Sequence, residues 1–157
     1  MKKILFLFVA MICVLTANAQ LNSNEKAFQN RVKTYLSNEG YRPEIDKDED
    51  ISFKKEGILY WISISEEDQG YFYVTFHRMA VDCEDANIYA VRKACNEVTK
   101  QYKVGKCYYS EKNQDCGLSV EGFYATAGDF TKYISRYLKI LDAMKEELMD
   151  LYSEYSD

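Results

Sequence analysis

One histidine, one proline and seven glycines in 157 residues leave little room for several common chemistries. The single histidine, His77, has no serine or cysteine nucleophile placed beside it in a recognisable pattern, so it reads as a rim residue of a strand and not as a catalytic base. A metal centre needs several His, Cys or carboxylate ligands at workable spacing, and Cys107 and Cys116 are too far apart for the short-spaced pairs of zinc sites. Asp46, Asp48 and Asp50 imitate the opening of a calcium loop, but Ile51 stands where the sharp turn needs glycine and Gly57 where a bidentate glutamate should sit. There is no phosphate-cradling glycine loop; Gly117 and Gly122 fit a hairpin with a bulge. The paired carboxylates Glu66-Glu67 and Glu146-Glu147 read as a solvated turn and a solvated helix flank. No catalytic residue, no cofactor and no metal are therefore expected. Positive charge is also short, with 20 Lys and Arg against 25 Asp and Glu and a formal net charge of −5. That balance argues against nucleic acid as a partner.

Long apolar runs are scarce too. The one present, Ile4 to Leu15, follows Lys2 and Lys3 and ends at Ala17-Asn18-Ala19, the tripartite pattern of a cleaved secretory signal. It is too short to span a hydrocarbon core, and no later segment is long and apolar enough, so no membrane insertion is expected after cleavage. Cys13 lacks the small residue before it that a lipoprotein signal requires. The expected organisation is a signal peptide over residues 1–19 and a single domain over residues 20–157, periplasmic or secreted. Four cysteines remain in that domain: Cys83, Cys95, Cys107 and Cys116. In an oxidising compartment an even number suggests two disulfides, with three pairings open; the alternative is four buried free thiols.

What the chain does have is a period-two stretch from Ile51 to Arg78 that predicts three consecutive antiparallel strands. Ile58, Ile62, Ile64, Phe72, Val74 and Phe76 fall on one side and predict the core face. The other side carries Leu59, Trp61, Tyr71 and Tyr73, more aromatic than a plain water-facing side requires. These four are candidates for a partner-binding surface, because Trp and Tyr combine contact area with a polar tip. The alternative is that another element covers them, or that they lie singly at a sheet edge.

Helical spacing predicts an amphipathic helix over Asn24–Ser37, capped by Ser23 or Asn24 and followed by Gly40. A second helix starts at Asp82 or Asp85 and directs Cys95 to the core, and a hairpin joins Lys106–Ser110 to Leu118–Tyr124, with Cys107 and Cys116 near one end. A single long helix from about Ala127 to Tyr152 closes the chain. At about 38 Å it would overhang the sheet, leaving Met144, Leu148 and Leu151 as a second candidate partner-binding stripe. The fold class is α+β: a five-stranded antiparallel sheet in the order α-β-β-β-α-β-β-α, with helices packed on the sheet.

This order, with the passages DKDEDISFKKEGILYWISI, NEVTKQYKVGKCYY and LSVEGFYATAGDFTKYISRYL, resembles the type III secretion chaperone-like fold, and within it the YbjN-type bacterial domains. The resemblance implies binding of hydrophobic segments of other proteins and no shared catalytic site. Secretion chaperones act in the cytosol, whereas the leader sends this chain across a membrane. The expected function is thus an exported, non-catalytic, chaperone-like binding or scaffold domain of the cell envelope, engaging a protein partner or a second copy as a homodimer. The alternative is an inhibitor of, or an enzyme acting on, envelope polymers.

Overall fold

The alternation from Ile51 onward builds the middle of a six-stranded antiparallel sheet in a computed structural model of the chain. The structure describes residues 21–156 apart from 69, 84 and 85, so the expected leader and Asp85 lie outside the described residues. The elements are α1 (Ser23–Asn38), β1 (Glu44–Ile45), β2 (Ile51–Lys55), β3 (Ile58–Asp68), β4 (Tyr71–Asp82), α2 (Ile88–Gln101), β5 (Gly105–Ser110), β6 (Asp115–Tyr124), α3 (Ala127–Thr131) and α4 (Ile134–Ser156). The strands lie in the order β1-β2-β3-β4-β6-β5.

The sixth strand corrects the expected five. Pairing of Glu44 with Ser52 and Ile45 with Ile51 converts the start of the acidic turn into an edge strand of two residues. The Asp46 carboxylate makes the turn, accepting the N–H groups of Asp48 at 2.9 Å and Asp50 at 3.0 Å. This is a side-chain substitute for a backbone turn that needs no metal. Glu56 and Gly57 both have positive φ, as a two-residue turn matching the strand twist requires, and join β2 to β3.

The helices start on side-chain caps. Asn22 accepts from the N–H groups of Asn24 and Glu25 while Glu25 reaches back to the Asn22 N–H, a reciprocal capping box one residue ahead of the expected cap. Asn87 caps α2, because Asp82 is already the last residue of β4. Buried apolar side chains from each of α1, α2, α3 and α4 join one cluster with Phe53, Ile62, Ile64, Phe72, Val74, Phe76, Leu118 and Val120. All four helices therefore cover the same side of the sheet.

The expected single closing helix is two, α3 and α4, separated at Lys132 and Tyr133. Nor does the end of α4 overhang. Met144 and Leu148 are fully buried and Leu151 is half-buried, since α2 lies alongside α4 and closes over the stripe. One charge enters this core. Arg78, on the packed side of β4, is 4% exposed and meets the Asp142 carboxylate of α4 at 2.8 Å. Tyr60 donates its hydroxyl to the same carboxylate at 3.1 Å, and its ring lies under the guanidinium at 5.5 Å. Burial, ahead of the neighbouring charges, pushes the Tyr60 phenol up to about 12.

Candidate functional site

With all four helices on one side, the other side of the sheet is left without a helix among the described residues. Its side chains fall in cross-strand rows fixed by register. One row runs Ser65, Tyr73, Phe123; the next Ser63, Thr75, Glu121; the third Ser52, Trp61, His77, Ser119, Lys106. Leu59, Met79 and Tyr108 extend the surface beyond the third row. The four residues expected on this side, Leu59, Trp61, Tyr71 and Tyr73, do share it. The structure adds Phe123, Met79 and Tyr108. Phe123 is 65% exposed, the most exposed large apolar residue on this face. It was visible in the sequence as the partner in alternation of Ser119 and Glu121, but its hairpin gave no reason to ask which side would be covered.

The rings are held in place by their neighbours. Trp61 stacks on His77 with centroids 5.6 Å apart and planes at 23°, and Tyr73 packs on Phe123 at 5.1 Å. Between these two aromatic pairs lies a polar strip around Glu121, whose carboxylate accepts from Tyr73, Lys106 and, at 2.8 Å, Ser119. Burial works against the Glu121 charge, but the hydrogen bonds from Lys106, Tyr73 and Ser119 outweigh it and hold its pKa below the usual value. His77 behaves oppositely: burial lowers its pKa below the ordinary 6.5, although Asp50, Asp46 and Glu121 all pull it upward. The imidazole is therefore neutral at pH 7 and serves as a flat support for Trp61.

Both sheet edges carry features that work against strand addition. Along β5, Thr99 of α2 accepts the Cys107 N–H at 2.9 Å and donates its hydroxyl to the Cys107 carbonyl at 3.1 Å. One side chain thus occupies both outward backbone groups of that edge residue. At the opposite edge β1 is two residues long, directly follows Pro43, and the adjoining stretch of β2 carries Lys54 and Lys55, features that discourage strand addition.

Of the second expected surface, Met144 and Leu148 belong to the core and the half-buried Leu151 packs against it. The four cysteines are also buried and are free thiols, not disulfides. Cys107 lies opposite Leu118 and not Cys116. Instead, Cys83 and Cys116 bring their sulfurs to 3.4 Å, and Cys95 approaches Cys116 at 3.7 Å. Beside them a cleft of about 360 Å³ opens between the end of β4, α2 and α4. Its lining among the described residues, including Val81, Val91, Leu148, Met149 and Tyr152, contributes one carboxylate, Asp82, and no basic side chain. Among the described residues no three His, Cys, Asp or Glu side chains are placed to hold a metal, and no helix is long and apolar enough to cross a membrane.

Comparison with known proteins gives one family. The YbjN family model, described as "Putative bacterial sensory transduction regulator", matches residues 29–148, from within α1 to the later turns of α4. No curated protein matches the chain significantly.

Proposed function

Starting from the fact that this chain belongs to the YbjN family, we propose that it is an exported, non-catalytic protein-binding domain of the cell envelope, chaperone-like in holding a partner's apolar segment. The observation that supports this reading is the sheet face that no helix covers among the described residues, with Trp61 and Tyr73 propped by His77 and Phe123. Rings fixed in this way lose little freedom on binding, so contact area converts to affinity at low entropic cost. Because both edges work against strand addition, the partner docks through side chains and not by adding a strand. The Trp61 and Tyr73 rows are four residues apart along β4, about 14 Å. That distance suits an amphipathic helix whose apolar residues recur over about two and a half turns.

The test places a photocrosslinking residue at Phe123, and separately at Lys139 on the helical side, in the native host. The expected result is a discrete protein adduct from position 123 in the envelope fraction, absent from position 139 and lost when Trp61 is replaced by Ala. Trp61→Ala should itself cost about 1 kcal/mol, the size of a cross-strand pair. Adducts from both positions alike, or a chain retained in the cytosol, would overturn the proposal. An adduct of the chain with itself would replace the partner by a second copy.

A further inference from the structure

The outer side of α4 is divided by charge. Its buried residues Ile134, Leu138, Leu141, Met144 and Leu148 turn one side of the helix to the core. On the opposite side, at steps of three and four, stand Lys132 (just ahead of the helix), Arg136 and Lys139. The same stripe continues through the half-buried Ala143 to Glu147, Asp150 and Glu154. Cations thus fill its first half, carboxylates its second, and a small residue the middle. Lys132 pairs with Asp129 at 3.0 Å, and Glu147 accepts from Gln101 at 2.9 Å. Arg136, Lys139, Asp150 and Glu154 make no ion pair among the described residues.

This order opposes the helix's own dipole, which favours acids at the N-terminus and bases at the C-terminus. The first turn of α4 holds Arg136 and no acid, and the last turn holds Glu154 and no base. What is unfavourable within one helix becomes favourable when a second copy lies antiparallel beside it. A twofold axis through Ala143 sets residues equally far before and after it against each other. Lys139 then meets Glu147 of the second copy, Arg136 meets its Asp150, and Lys132 meets its Glu154. A parallel pair in register would set like charge against like. We propose that two copies of the chain associate through antiparallel α4 helices that cross at Ala143.

Alanine at the crossing lets the helix axes approach to about 8 Å. At a shallow crossing of about 20°, Lys132 and Glu154, about 16 Å along the helix from the axis, are displaced sideways by about 6 Å, within reach of their long side chains. Tyr102, at the end of α2, and Ile140 line one shallow groove with Ala143 and the three cations, which gives the crossing an apolar floor. Every contact occurs twice by symmetry. Exposed ion pairs are individually weak, and one helix pair buries less surface than a standard interface, so the dimer is weak and sensitive to salt.

Sedimentation velocity of the full chain reads this association, and its dissociation constant should rise about tenfold or more between about 50 mM and about 500 mM salt. The all-acidic variant K132E/R136E/K139E and the all-basic variant E147K/D150K/E154K should each stay monomeric where the wild type dimerises. Mixed in equal amounts, the two should dimerise again. Both sets of changes agree with the helix dipole, so each variant keeps its fold, which circular dichroism checks. A wild type still monomeric at about 1 mM in low salt, a dimer indifferent to salt, or a mixture that fails to pair would overturn the proposal. Trp61→Ala should leave the association unchanged, which separates this outcome from that of the aromatic face. A photocrosslinker at Lys139 would capture only a second copy, at twice the chain mass, and not the partner adduct expected from position 123.

Discussion

Removal of the Asp142 carboxylate should cost far more than removal of its partner Arg78, although both belong to one ion pair. The asymmetry follows from their surroundings. The Arg78 side chain is 4% exposed and that of Asp142 38%. In Asp142→Ala the guanidinium stays in the core with only the Met79 carbonyl at 3.3 Å and the Tyr60 hydroxyl at 3.4 Å, both long. An uncompensated buried charge costs about 3 to 5 kcal/mol, but water can enter where the half-exposed carboxylate stood, so about 2 to 3 kcal/mol is expected. In Arg78→Met the apolar stem is conserved, and Asp142 keeps solvent, the Tyr60 hydroxyl at 3.1 Å and Lys55 at 4.0 Å. That change should cost about 1 kcal/mol or less. The double variant should be more stable than Asp142→Ala alone, because the stranded charge is gone. Urea unfolding of all four proteins measures this, with equal slopes required so that midpoints report stability. Equal losses for the two single variants, or an additive double variant, would refute the assignment of Arg78 as a buried charge held by Asp142.

Two glycines should respond differently to alanine. A Cβ at Gly105 would overlap Met144 Sδ and stand 2.8 Å from its Cε, and Met144 is fully buried, so Gly105→Ala should lose about 1 to 3 kcal/mol in thermal unfolding. At Gly117 the Cβ would overlap the Tyr108 ring, which is exposed enough to swing away, and a loss below about 1 kcal/mol is expected; equal losses would mean that Tyr108 is fixed. His77 sets a pH dependence. Its folded pKa lies below the unfolded 6.5, so the unfolded chain takes up the proton first and stability falls as pH drops from 7 through 6.5 to the folded pKa. The stability difference between wild type and His77→Gln, measured in urea at pH 7.5 and pH 5, should therefore shift against the wild type at the lower pH; no shift would place His77 in contact with solvent.

The middle of the sheet was readable because period two leaves no other face for Ile62, Ile64, Phe72, Val74 and Phe76, all of which are buried. Elements too short to show a period were not. Glu44–Ile45 cannot alternate detectably in two residues, and its pairing depends on the Asp46 side chain folding the turn. The break at Lys132 and Tyr133 carries no proline or glycine to mark it. The stripe from Met144 to Leu151 was legible as apolar, but its covering by α2 is a matter of tertiary packing. Arg78 is only the last residue of the period-two stretch in sequence; its partner in the core, Asp142, lies on a helix far along the chain. For the candidate site, alternation placed Trp61 and Tyr73 together, while the bareness of their face depended on where four helices would settle. Register across β6 then brought Phe123 into the same patch.

The hydroxyl of Thr99 has a consequence for how copies of this chain can assemble. With it seated against Cys107, and with only two residues of strand at the far margin, both flanks are poor templates for molecules to zip into an endless ribbon. Association through the broad aromatic surface is of another kind: a twofold pairing through such a patch consumes it on both molecules and stops at two. Pairing of that kind yields a closed dimer and not a fibre.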